Sequence, residues 1–562
     1  MFDRLEDVIQ GEMQRGQVPG LAIALVKGSE ISWSRGFGVA DVESKTPMTP
    51  ETVFSVQSVT KPVVATALMQ RYERGDFRLD DPANRYLAPA RIQNEYEETD
   101  PVTIRQLLTH TSGLPVDVGA APPSAGQKTL EEFVALVAKT VRPPGQEIIY
   151  ANWGYDIIGL LVQRFSGKPW DECVRQAILK PLGMAATAAD SPPEGLPVAR
   201  GHFLSAVDEQ VHTLTAGPPA LTTPPSSAGE LLSTVEDLGR FLIAHLNGGA
   251  LNGQRILRAE TVAQMHRLHA PAGRSQAGMG LGFRVARSNE RYLICHGGDG
   301  LGFTNFIGGY PEEKVGIALT LNRGGAQTAR SVIANTALAT LTGSRATDAT
   351  RRGSAEQVQR LAGRYGSTYW DIKADITIEG GQAWLTVTGG LVVSAEHPKS
   401  SLFQGGDGVF LARGGMFDGF ELTFDVGTDP SVVSFYGGVY PLRFDRQGDV
   451  VPVAELARDE AAELVGSWSG TAATPLGPML VRLEIVDATR GTVDTPFAQK
   501  VAIQEFAAEA GRVSGQFVVT APGIGEMQLF LRLQAAGGKL QGPVYTRGWF
   551  GEVPMATELS RG

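Results

Sequence analysis

At 562 residues the chain exceeds what one hydrophobic core can organise, so two to four domains are expected. Hydrophobic residues make up 42% and charged residues 20% of the sequence, which is the composition of a soluble globular protein. The net charge is −10 with acidic residues spread along the chain, which argues against a nucleic-acid surface, so no nucleic-acid partner is predicted.

No apolar run approaches membrane-spanning length, and the N-terminal residues carry no signal-peptide apolar core. We therefore expect no membrane span and a cytoplasmic protein, or a periplasmic or secreted one if a leader has been removed. The two cysteines, Cys173 and Cys295, are far apart and lack metal-type spacing. They are predicted to be buried structural thiols rather than a disulfide.

Helix and strand patterns alternate over residues 1–345. An amphipathic helix is predicted at the N terminus and a β-hairpin over residues 21–41. Near the other end, the stretches RYLICHGG, FTNFIGGY and VGIALTLN indicate three strands, and residues 329–343 indicate a helix. We expect strands from both ends to form one antiparallel sheet, covered by the first and last helices. The middle, from Ser58 to about Leu268, is predicted to be mostly helical.

The composition changes after Gly343, where the small and polar stretch GSRATDATRRGSAEQ is typical of a linker. Beyond it the chain is rich in strand and turn patterns. The stretch RLAGRYGS at 360–367 has a short echo in ELVGSWSG at 463–470, and each opens a segment of roughly 100 residues. The sequence therefore predicts two similar antiparallel β-barrel-like domains, joined near residues 446–460.

A serine and a lysine lie close together at the start of one predicted helix. Helical periodicity runs from Val59 onward, and Gly75 stands in the usual C-terminal position. Pro62 is tolerated only within the first helical turn, so the helix is expected to begin close to Ser58. The Ser58 hydroxyl then lies at the positive end of the helix dipole, with Lys61 one turn along on the same face.

That arrangement suits a nucleophile, because an alcohol attacks well only after a base removes its proton. The Lys61 amine can be that base if it is unprotonated, which burial and the positive helix end both favour. The plain alternative is a helix-capping Ser58 with a solvated Lys61. A bare Ser-x-x-Lys is expected once or twice in a chain of this length, so this motif alone does not decide between the two.

Two further stretches carry candidate site residues. Tyr150-Ala151-Asn152 lies where an extended run meets an amphipathic helix, and its plain alternative is a packed tyrosine with a capping asparagine. The stretch YLICHGGDG ends a predicted strand on residues 296–299, where paired glycines allow another chain or a ligand close to the backbone. Its plain alternative is a tight turn with a surface histidine. Each of these stretches, like Ser58-x-x-Lys61, is a weak signal alone, whereas the order and spacing of all three together are specific.

In this order and spacing, three elements resemble the signature of the serine β-lactamase and penicillin-binding-protein superfamily, class C-like branch. That branch includes D-aminopeptidases, D,D-carboxypeptidases and esterases, and flanking phrases such as VPGLAIALVKG and LLTHTSGLP agree over residues 10 to about 340. His-Gly-Gly replaces the Lys-Thr-Gly of β-lactamases proper, so β-lactam hydrolysis is expected to be poor. The three elements are Ser58-x-x-Lys61, Tyr150-x-Asn152 and His296-Gly297-Gly298.

The resemblance implies a multi-domain α+β protein. A β-lactamase/transpeptidase-like catalytic domain, an antiparallel sheet covered by helices plus a helical lobe, is expected over residues 1–345. A linker over 346–355 then leads to two antiparallel β-barrel-like domains over 356–450 and 460–562. This second half resembles the lipocalin-like accessory barrels of D-aminopeptidase-type members. We expect the barrels to restrict access to the cleft or to mediate homo-oligomerisation.

The resemblance also implies a mechanism. Ser58 would attack a carbonyl, Lys61 and Tyr150 would manage its proton, and an acyl-enzyme would form and be hydrolysed. The choice of base between Lys61 and Tyr150 stays open, because each perturbs the titration of the other. No glutamate is assignable to the deacylation water, which favours Tyr150 in that role. The backbone N–H groups of Ser58 and Asp299 would form the oxyanion hole.

The remaining site residues have binding roles in this interpretation. Asn152 would hold the substrate amide or Lys61, and Gly297 and Gly298 would line the substrate site. His296 would steer a carboxylate or share in the proton network. The Asp299 carboxylate is a candidate for binding a free substrate ammonium, against the alternative of an ordinary turn aspartate.

The expected activity is cleavage of a small peptide, amide or ester, with D-amino-acid compounds among the candidates and with no cofactor and no metal. One alternative is a penicillin-recognising binding or sensor protein with little turnover, and another is a carboxylesterase rather than a peptidase. Other hydrolase classes lack their motifs, since neither Gly-x-Ser-x-Gly nor His-Glu-x-x-His occurs. His266-x-x-His269 lacks an obvious third ligand, which disfavours a metal site.

Overall fold

The computed structural model describes most of the N-terminal region and the strands of the C-terminal region. The predicted linker, residues 346–355, lies outside the described residues, as does most of the join near 446–460. The described residues are 2–96, 98–115, 129–189, 191–204, 210–213, 226–272, 276–288, 291–300, 302–343, 359–366, 372–389, 399–406, 409–413, 417, 421–426, 433–437, 442–448, 464–474, 477–487, 489–495, 498–509, 512–521, 525–536, 538–548 and 551–561.

The helices of the described chain all precede residue 343, apart from single turns. In chain order they are α1 (Asp3–Arg15), α2 (Thr60–Glu73), α3 (Asn84–Leu87), α4 (Ile104–Leu108), α5 (Leu130–Val137), α6 (Asn152–Ser166), α7 (Trp170–Val174), α8 (Lys180–Leu182), α9 (Val235–Leu246), α10 (Ala259–His266) and α11 (Gln327–Thr342). A 3₁₀ turn over Gln57–Val59 precedes α2, and a π-helical turn over Arg175–Leu179 joins α7 to α8. No helix in the described part of the chain has both the length and the apolarity needed to cross a membrane.

The strands fall into an N-terminal and a C-terminal set. The first set is β1 (Gly20–Lys27), β2 (Glu30–Asp41), β3 (Thr46–Pro47), β4 (Phe54–Ser55), β5 (His202–Leu204), β6 (Val211–Thr213), β7 (Leu232–Ser233), β8 (Ala250–Leu251), β9 (Gln254–Arg255), β10 (Ala270–Pro271), β11 (Gly278–Met279), β12 (Arg284–Ser288), β13 (Arg291–Gly300), β14 (Phe303–Tyr310) and β15 (Val315–Leu321).

The second set is β16 (Gly363–Gly366), β17 (Ile372–Glu379), β18 (Gln382–Gly389), β19 (Ser400–Gly406), β20 (Val409–Arg413), β21 (Glu421–Val426), β22 (Val433–Gly437), β23 (Leu442–Gly448), β24 (Gly466–Thr474), β25 (Gly477–Asp487), β26 (Arg490–Thr495), β27 (Ala498–Ala502), β28 (Gln504–Glu509), β29 (Arg512–Ala521), β30 (Gly525–Ala536), β31 (Lys539–Gly548) and β32 (Gly551–Arg561).

Strands from both ends of the N-terminal region form one antiparallel sheet, which confirms the sequence prediction. Its order is β10-β11-β12-β13-β14-β15-β1-β2-β3, and β1 pairs with β15 from Leu21 opposite Leu321 to Lys27 opposite Val315. The predicted hairpin is β1–β2, turning at Gly28. Because β1, β14 and β15 are covered on both faces, they are buried at nearly every position rather than at alternate ones.

Two cores lie on opposite faces of this sheet. On one face α1 and α11, the latter through Ile333, pack on strand residues such as Ile23 and Leu319. On the other face α2, α6 and α9 enclose a larger core that contains Val64, Leu161 and Phe241. The first and last helices therefore cover one face as predicted, and the helical lobe lies on the other. Both cysteines are buried and free, as expected.

The C-terminal strands form two separate antiparallel systems. Strands β16–β23 close into a barrel, and β24–β32 form a nine-stranded sheet in the order β27-β26-β25-β24-β32-β31-β30-β29-β28. The two echo segments have the same local structure. The Tyr365 hydroxyl donates to the Leu361 carbonyl at 2.6 Å, and Trp468 Nε1 donates to the Leu464 carbonyl at 2.9 Å, four residues back in each case.

Candidate active site

Ser58 lies in the 3₁₀ turn that leads directly into α2. Pro62 occupies the first turn of α2, where its missing N–H costs no helical hydrogen bond, so the predicted helix start is confirmed. Gln57, just before the serine, has φ +52°, a left-handed conformation that non-glycine residues rarely adopt. Such local strain is common where a side chain must be presented at a functional site.

Lys61 is fully buried and lies within hydrogen-bond distance of three uncharged oxygen atoms. Its Nζ is 2.9 Å from Ser58 Oγ, 2.6 Å from Asn152 Oδ1 and 2.8 Å from the Ala228 carbonyl oxygen. The amide and carbonyl oxygens can only accept, whereas the hydroxyl can also donate. A neutral amine could therefore give its two N–H groups to Asn152 and Ala228 and keep its lone pair for the Ser58 proton.

The Ala228 carbonyl reaches Lys61 because its turn is held tightly against α6. The Ser226 hydroxyl donates to Asp156 at 2.7 Å, and the Ser227 hydroxyl donates to the Tyr155 carbonyl at 2.9 Å. A Cβ at Gly159 would come within 2.0 Å of Ser227 Oγ, so this position needs glycine. Sequence reasoning did not identify this carbonyl, since a backbone group leaves no mark on residue identity.

Tyr150 and Asn152 flank Ala151, the N-cap residue of α6, and both lie beside Lys61. Tyr150 is 6% exposed, and Lys61 Nζ lies 4.9 Å from the centre of its ring. Asn152 accepts from Lys61 rather than capping α6, which favours the lysine-holding role over the plain capping alternative. The structure thus brings Ser58, Lys61, Tyr150 and Asn152 together as expected.

His110 also belongs to this cluster, although sequence reasoning did not single it out as a site residue. It is 1% exposed, and its ring stacks on Tyr150 with 4.3 Å between ring centres. Burial, with Lys61 and His296 nearby, holds the pKa of His110 well below its usual value. The signal in the sequence is the stretch LLTHTSGLP, which contributed to the family resemblance only as a phrase.

His296 lies inside β13 and is buried, which rules out the alternative of a tight turn with a surface histidine. Its ring centre is 6.3 Å from that of Tyr150, so it joins the cluster. Its Nδ1 lies 2.6 Å from the Gly297 carbonyl, an acceptor, which places the proton on Nδ1 and the lone pair on Nε2. Burial, with Lys61 nearby, lowers the pKa of His296 to about 3. A neutral imidazole favours the proton-network role over attraction of a carboxylate.

Gly298 allows β13 to approach the 3₁₀ turn that carries Ser58. A Cβ at this position would come within 2.2 Å of the Val56 carbonyl oxygen. The approach is held by Asn305, whose Nδ2 donates to the Ser55 carbonyl at 3.1 Å and to the Gly298 carbonyl at 2.9 Å. The strand that carries Asp299 is thereby tied to the segment that carries Ser58.

Asp299 points away from this cluster. Because side chains alternate along a strand, Asp299 faces α11 while His296 and Gly298 face the nucleophile. Its carboxylate is 3% exposed and pairs with Arg330 at 2.7 Å. Asp299 therefore lies in a strand and not in the turn given as one alternative. Its carboxylate is engaged by Arg330, which corrects the expectation that it would bind a substrate ammonium. The role of its backbone N–H stays a prediction.

The His266-x-x-His269 pair does not converge. His266 Nε2 lies 3.2 Å from His245 Nδ1, whereas His269 Nδ1 lies 2.9 Å from Arg105 Nη1. Within the described residues, no group of three or more histidine, cysteine, aspartate or glutamate side chains is arranged to hold a metal ion.

Comparison with known proteins identifies the family. Residues 5–341 match the beta-lactamase family, which is the greater part of the chain. The chain belongs to the beta-lactamase family. The match ends at α11 and includes the whole Ser58–Lys61–Tyr150 cluster, so the superfamily resemblance drawn from the three motifs is confirmed.

The individual proteins and solved structures that this chain resembles are distant from it in sequence. Protein flp of Staphylococcus aureus (strain NCTC 8325 / PS 47) is 24% identical over 328 residues, 57% of this chain and 62% of that protein. The octameric penicillin-binding protein homologue from Pyrococcus abyssi is 26% identical with a TM-score of 0.53, over 79% of this chain and 99% of that one. The D-amino acid amidase from Ochrobactrum anthropi SV3 is 28% identical with a TM-score of 0.50, over 59% and 97%. The chain thus spans less than two thirds of its curated relative.

Proposed function

We propose that this protein is a serine hydrolase that cleaves a small amide, peptide or ester through an acyl-enzyme on Ser58. The observation that carries the proposal is the set of neighbours around Lys61 Nζ. Two of them, Asn152 Oδ1 and the Ala228 carbonyl, can only accept, and the third is the Ser58 hydroxyl at 2.9 Å. A buried amine in this setting is suited to removing the serine proton.

In the proposed acylation step the Ser58 proton passes to Lys61 as Oγ bonds to the substrate carbonyl carbon. Collapse of the tetrahedral intermediate breaks the bond to the leaving amine or alcohol, which takes up a proton delivered through Lys61 and Tyr150. Water then attacks the ester carbon and gives a proton to Tyr150 as the phenol proton passes to the neutral Lys61 amine, and the bond to Oγ breaks as Lys61 returns a proton to Ser58. The N–H groups of Ser58 and Asp299 would stabilise the oxyanion in both steps, each contributing about 3–4 kcal/mol.

Small amides and peptides, D-amino-acid amides among them, are the proposed substrates. The relation to the D-amino acid amidase, at 28% identity, supports this choice. Neutral His296 and the engaged carboxylate of Asp299 fit a site that recognises its substrate by hydrogen bonds to the acyl group. An ester substrate would follow the same steps with an alcohol leaving, so a carboxylesterase is the neighbouring alternative.

The test is turnover of p-nitroanilide and p-nitrophenyl ester substrates by the full chain and by Ser58→Ala. We expect steady turnover that falls by at least about 10³-fold in the variant, because the nucleophile is lost. Intact-mass analysis after exposure to a fluorophosphonate is expected to place one adduct on Ser58 of the wild type and none on the variant. Equal rates for the two proteins, or an adduct elsewhere, would defeat the proposal.

A penicillin-recognising protein that acylates but turns over slowly is the second candidate, and the penicillin-binding protein homologue supports it. Persistence of a penicillin adduct on Ser58, with no release over hours and no turnover of amides or esters, would favour it. Because that homologue is octameric, we also propose that this chain self-associates. The division into a catalytic domain over 1–345 and barrel-like domains over 356–450 and 460–562 is likewise proposed, and truncation at about residue 345 tests its effect on selectivity and assembly.

A further inference from the structure

We propose that His110 is a positioning residue that holds the phenol of Tyr150 for proton transfer. The inference rests on the proposed function, because it assigns His110 a role toward a residue of that mechanism. His110 itself is not proposed to touch substrate. It acts on the short extended segment, residues 149–151, that carries Tyr150 into the site.

His110 accepts hydrogen bonds from this segment on both sides of the tyrosine. The N–H of Ile149 donates to the His110 carbonyl at 2.7 Å, and the N–H of Ala151 donates to His110 Nδ1 at 3.2 Å. Between these two hydrogen bonds, the imidazole ring stacks on the Tyr150 ring at 28°. One residue therefore controls the backbone before the tyrosine, the backbone after it and the plane of its ring.

The hydrogen bond from the Ala151 N–H requires a neutral imidazole with its proton on Nε2. Nδ1 can accept from the Ala151 N–H only through its lone pair, so a protonated ring would place two donors against each other. Burial also disfavours a positive charge on the imidazole, in keeping with the lowered pKa of His110. His110 thus serves as a fixed acceptor rather than as an acid or base.

The backbone of His110 indicates the same specialised role. Its φ is +55°, in the left-handed region, which non-glycine residues seldom adopt and where asparagine, aspartate and histidine are the most frequent of them. The buried ring further packs against Tyr155, with 5.0 Å between ring centres. Both features hold the imidazole in a single orientation, which is what a positioning residue needs.

The test compares His110→Asn with His110→Gln and His110→Leu. Asparagine tolerates the left-handed backbone and places a carbonyl oxygen near the position of Nδ1, whereas glutamine carries its amide one bond farther out and leucine has no acceptor. We expect His110→Asn to keep kcat within about 10-fold of wild type. We expect His110→Leu and His110→Gln to lose about 10²-fold in kcat with KM nearly unchanged, since misplacing a catalytic group affects mainly the transition state.

Circular dichroism and thermal melts first establish which variants are folded, and the Asn–Gln comparison decides the matter if the leucine variant is not. Rescue by asparagine is a readout that a merely space-filling histidine would not produce. Wild-type kcat in folded His110→Leu or His110→Gln, or an equal loss in His110→Asn and His110→Gln, would overturn the positioning role alone. If the wild type shows no turnover that depends on Ser58, the proposed function fails and this role fails with it.

Discussion

The two faces of β13 carry opposite kinds of polar chemistry. On the face toward the helical lobe, His296 and Gly298 meet a cluster of neutral groups around a buried amine. On the face toward α11, one residue farther along, Asp299 forms a fully ionic pair with Arg330. Alternation along one strand thus separates the groups of the proposed reaction from a charged structural contact by a single residue.

The difference shows what each face requires. The turn that carries Ser58 comes close to the strand on one face, so glycine and a neutral imidazole suit that face. The opposite face must hold the strand firmly, and a buried ion pair with good geometry does so, because removing either partner leaves an uncompensated charge. Asp299 contributes to both faces. Its side chain pairs with Arg330 and so holds the strand on α11, while its N–H belongs to the proposed oxyanion hole.

Breaking the anchored face is expected to have the largest effect on stability. In Arg330→Met the buried Asp299 carboxylate loses the cation that it pairs with, so the free energy of unfolding should fall by about 3–5 kcal/mol. Urea denaturation of the N-terminal transition measures it. The matched control is Lys139→Met, which breaks the exposed Lys139–Glu95 pair at 3.2 Å and should cost less than about 1 kcal/mol. Similar losses for the two variants would contradict the distinction drawn between the faces.

A substitution on the β13 face toward the helical lobe is expected to reduce stability less and activity more. In Gly298→Ala the new Cβ would meet the Val56 carbonyl at 2.2 Å, so β13 and the nucleophile turn must separate. Such overpacking costs about 1–3 kcal/mol, and the altered distance should lower kcat by about 10²-fold. Steady-state kinetics and denaturation on the same preparation measure both. Gly11→Ala on α1, where the nearest contact is a flexible Arg15 side chain at 3.6 Å, is the control and should leave kcat unchanged.

The pH dependence of stability should distinguish neighbouring residues on the two faces. The pKa of His296 is lowered to about 3, so the unfolded chain binds its proton first and stability falls as pH drops from about 6.5 to 3. Burial raises the pKa of Cys295 to about 11, so its contribution is lost as pH rises from about 9 to 11. Each group should contribute about 1.4 kcal/mol per pH unit inside its own window.

Denaturation of His296→Gln and Cys295→Ala across both windows checks this expectation. His296→Gln should flatten only the acid side of the stability profile, by about one proton, and Cys295→Ala should flatten only the alkaline side. A variant that changes the other side instead would show that the titrating group had been assigned to the wrong residue.

Much of the site could be predicted because its signals are local. Pro62 limits where α2 begins, and helical geometry then places Lys61 beside Ser58 without reference to the rest of the chain. The paired β-type runs of residues 21–41 and the three strands near residue 300 likewise follow from periodicity, and the structure has them in one sheet.

The groups that were missed or misjudged depend on long-range contacts. His110 could be recognised as part of the site only after the fold had stacked it on Tyr150, 40 residues away in the chain. The Ala228 carbonyl has no side-chain signal at all. The sequence left Asp299 open between an ammonium-binding carboxylate and a turn aspartate, whereas pairing with β14 extends the strand through Gly300 and the carboxylate pairs with Arg330 on α11.

The sequence by itself determined the candidate nucleophile, its lysine neighbour, the hairpin and the family to which the chain belongs, because each depends on residues close together or on motifs of fixed type. Only the tertiary structure decided the charge environment of Lys61, the partner of Asp299 and the place of His110. Those depend on which face of a strand or turn is buried against which distant segment, and that choice is made by the packing of the whole domain.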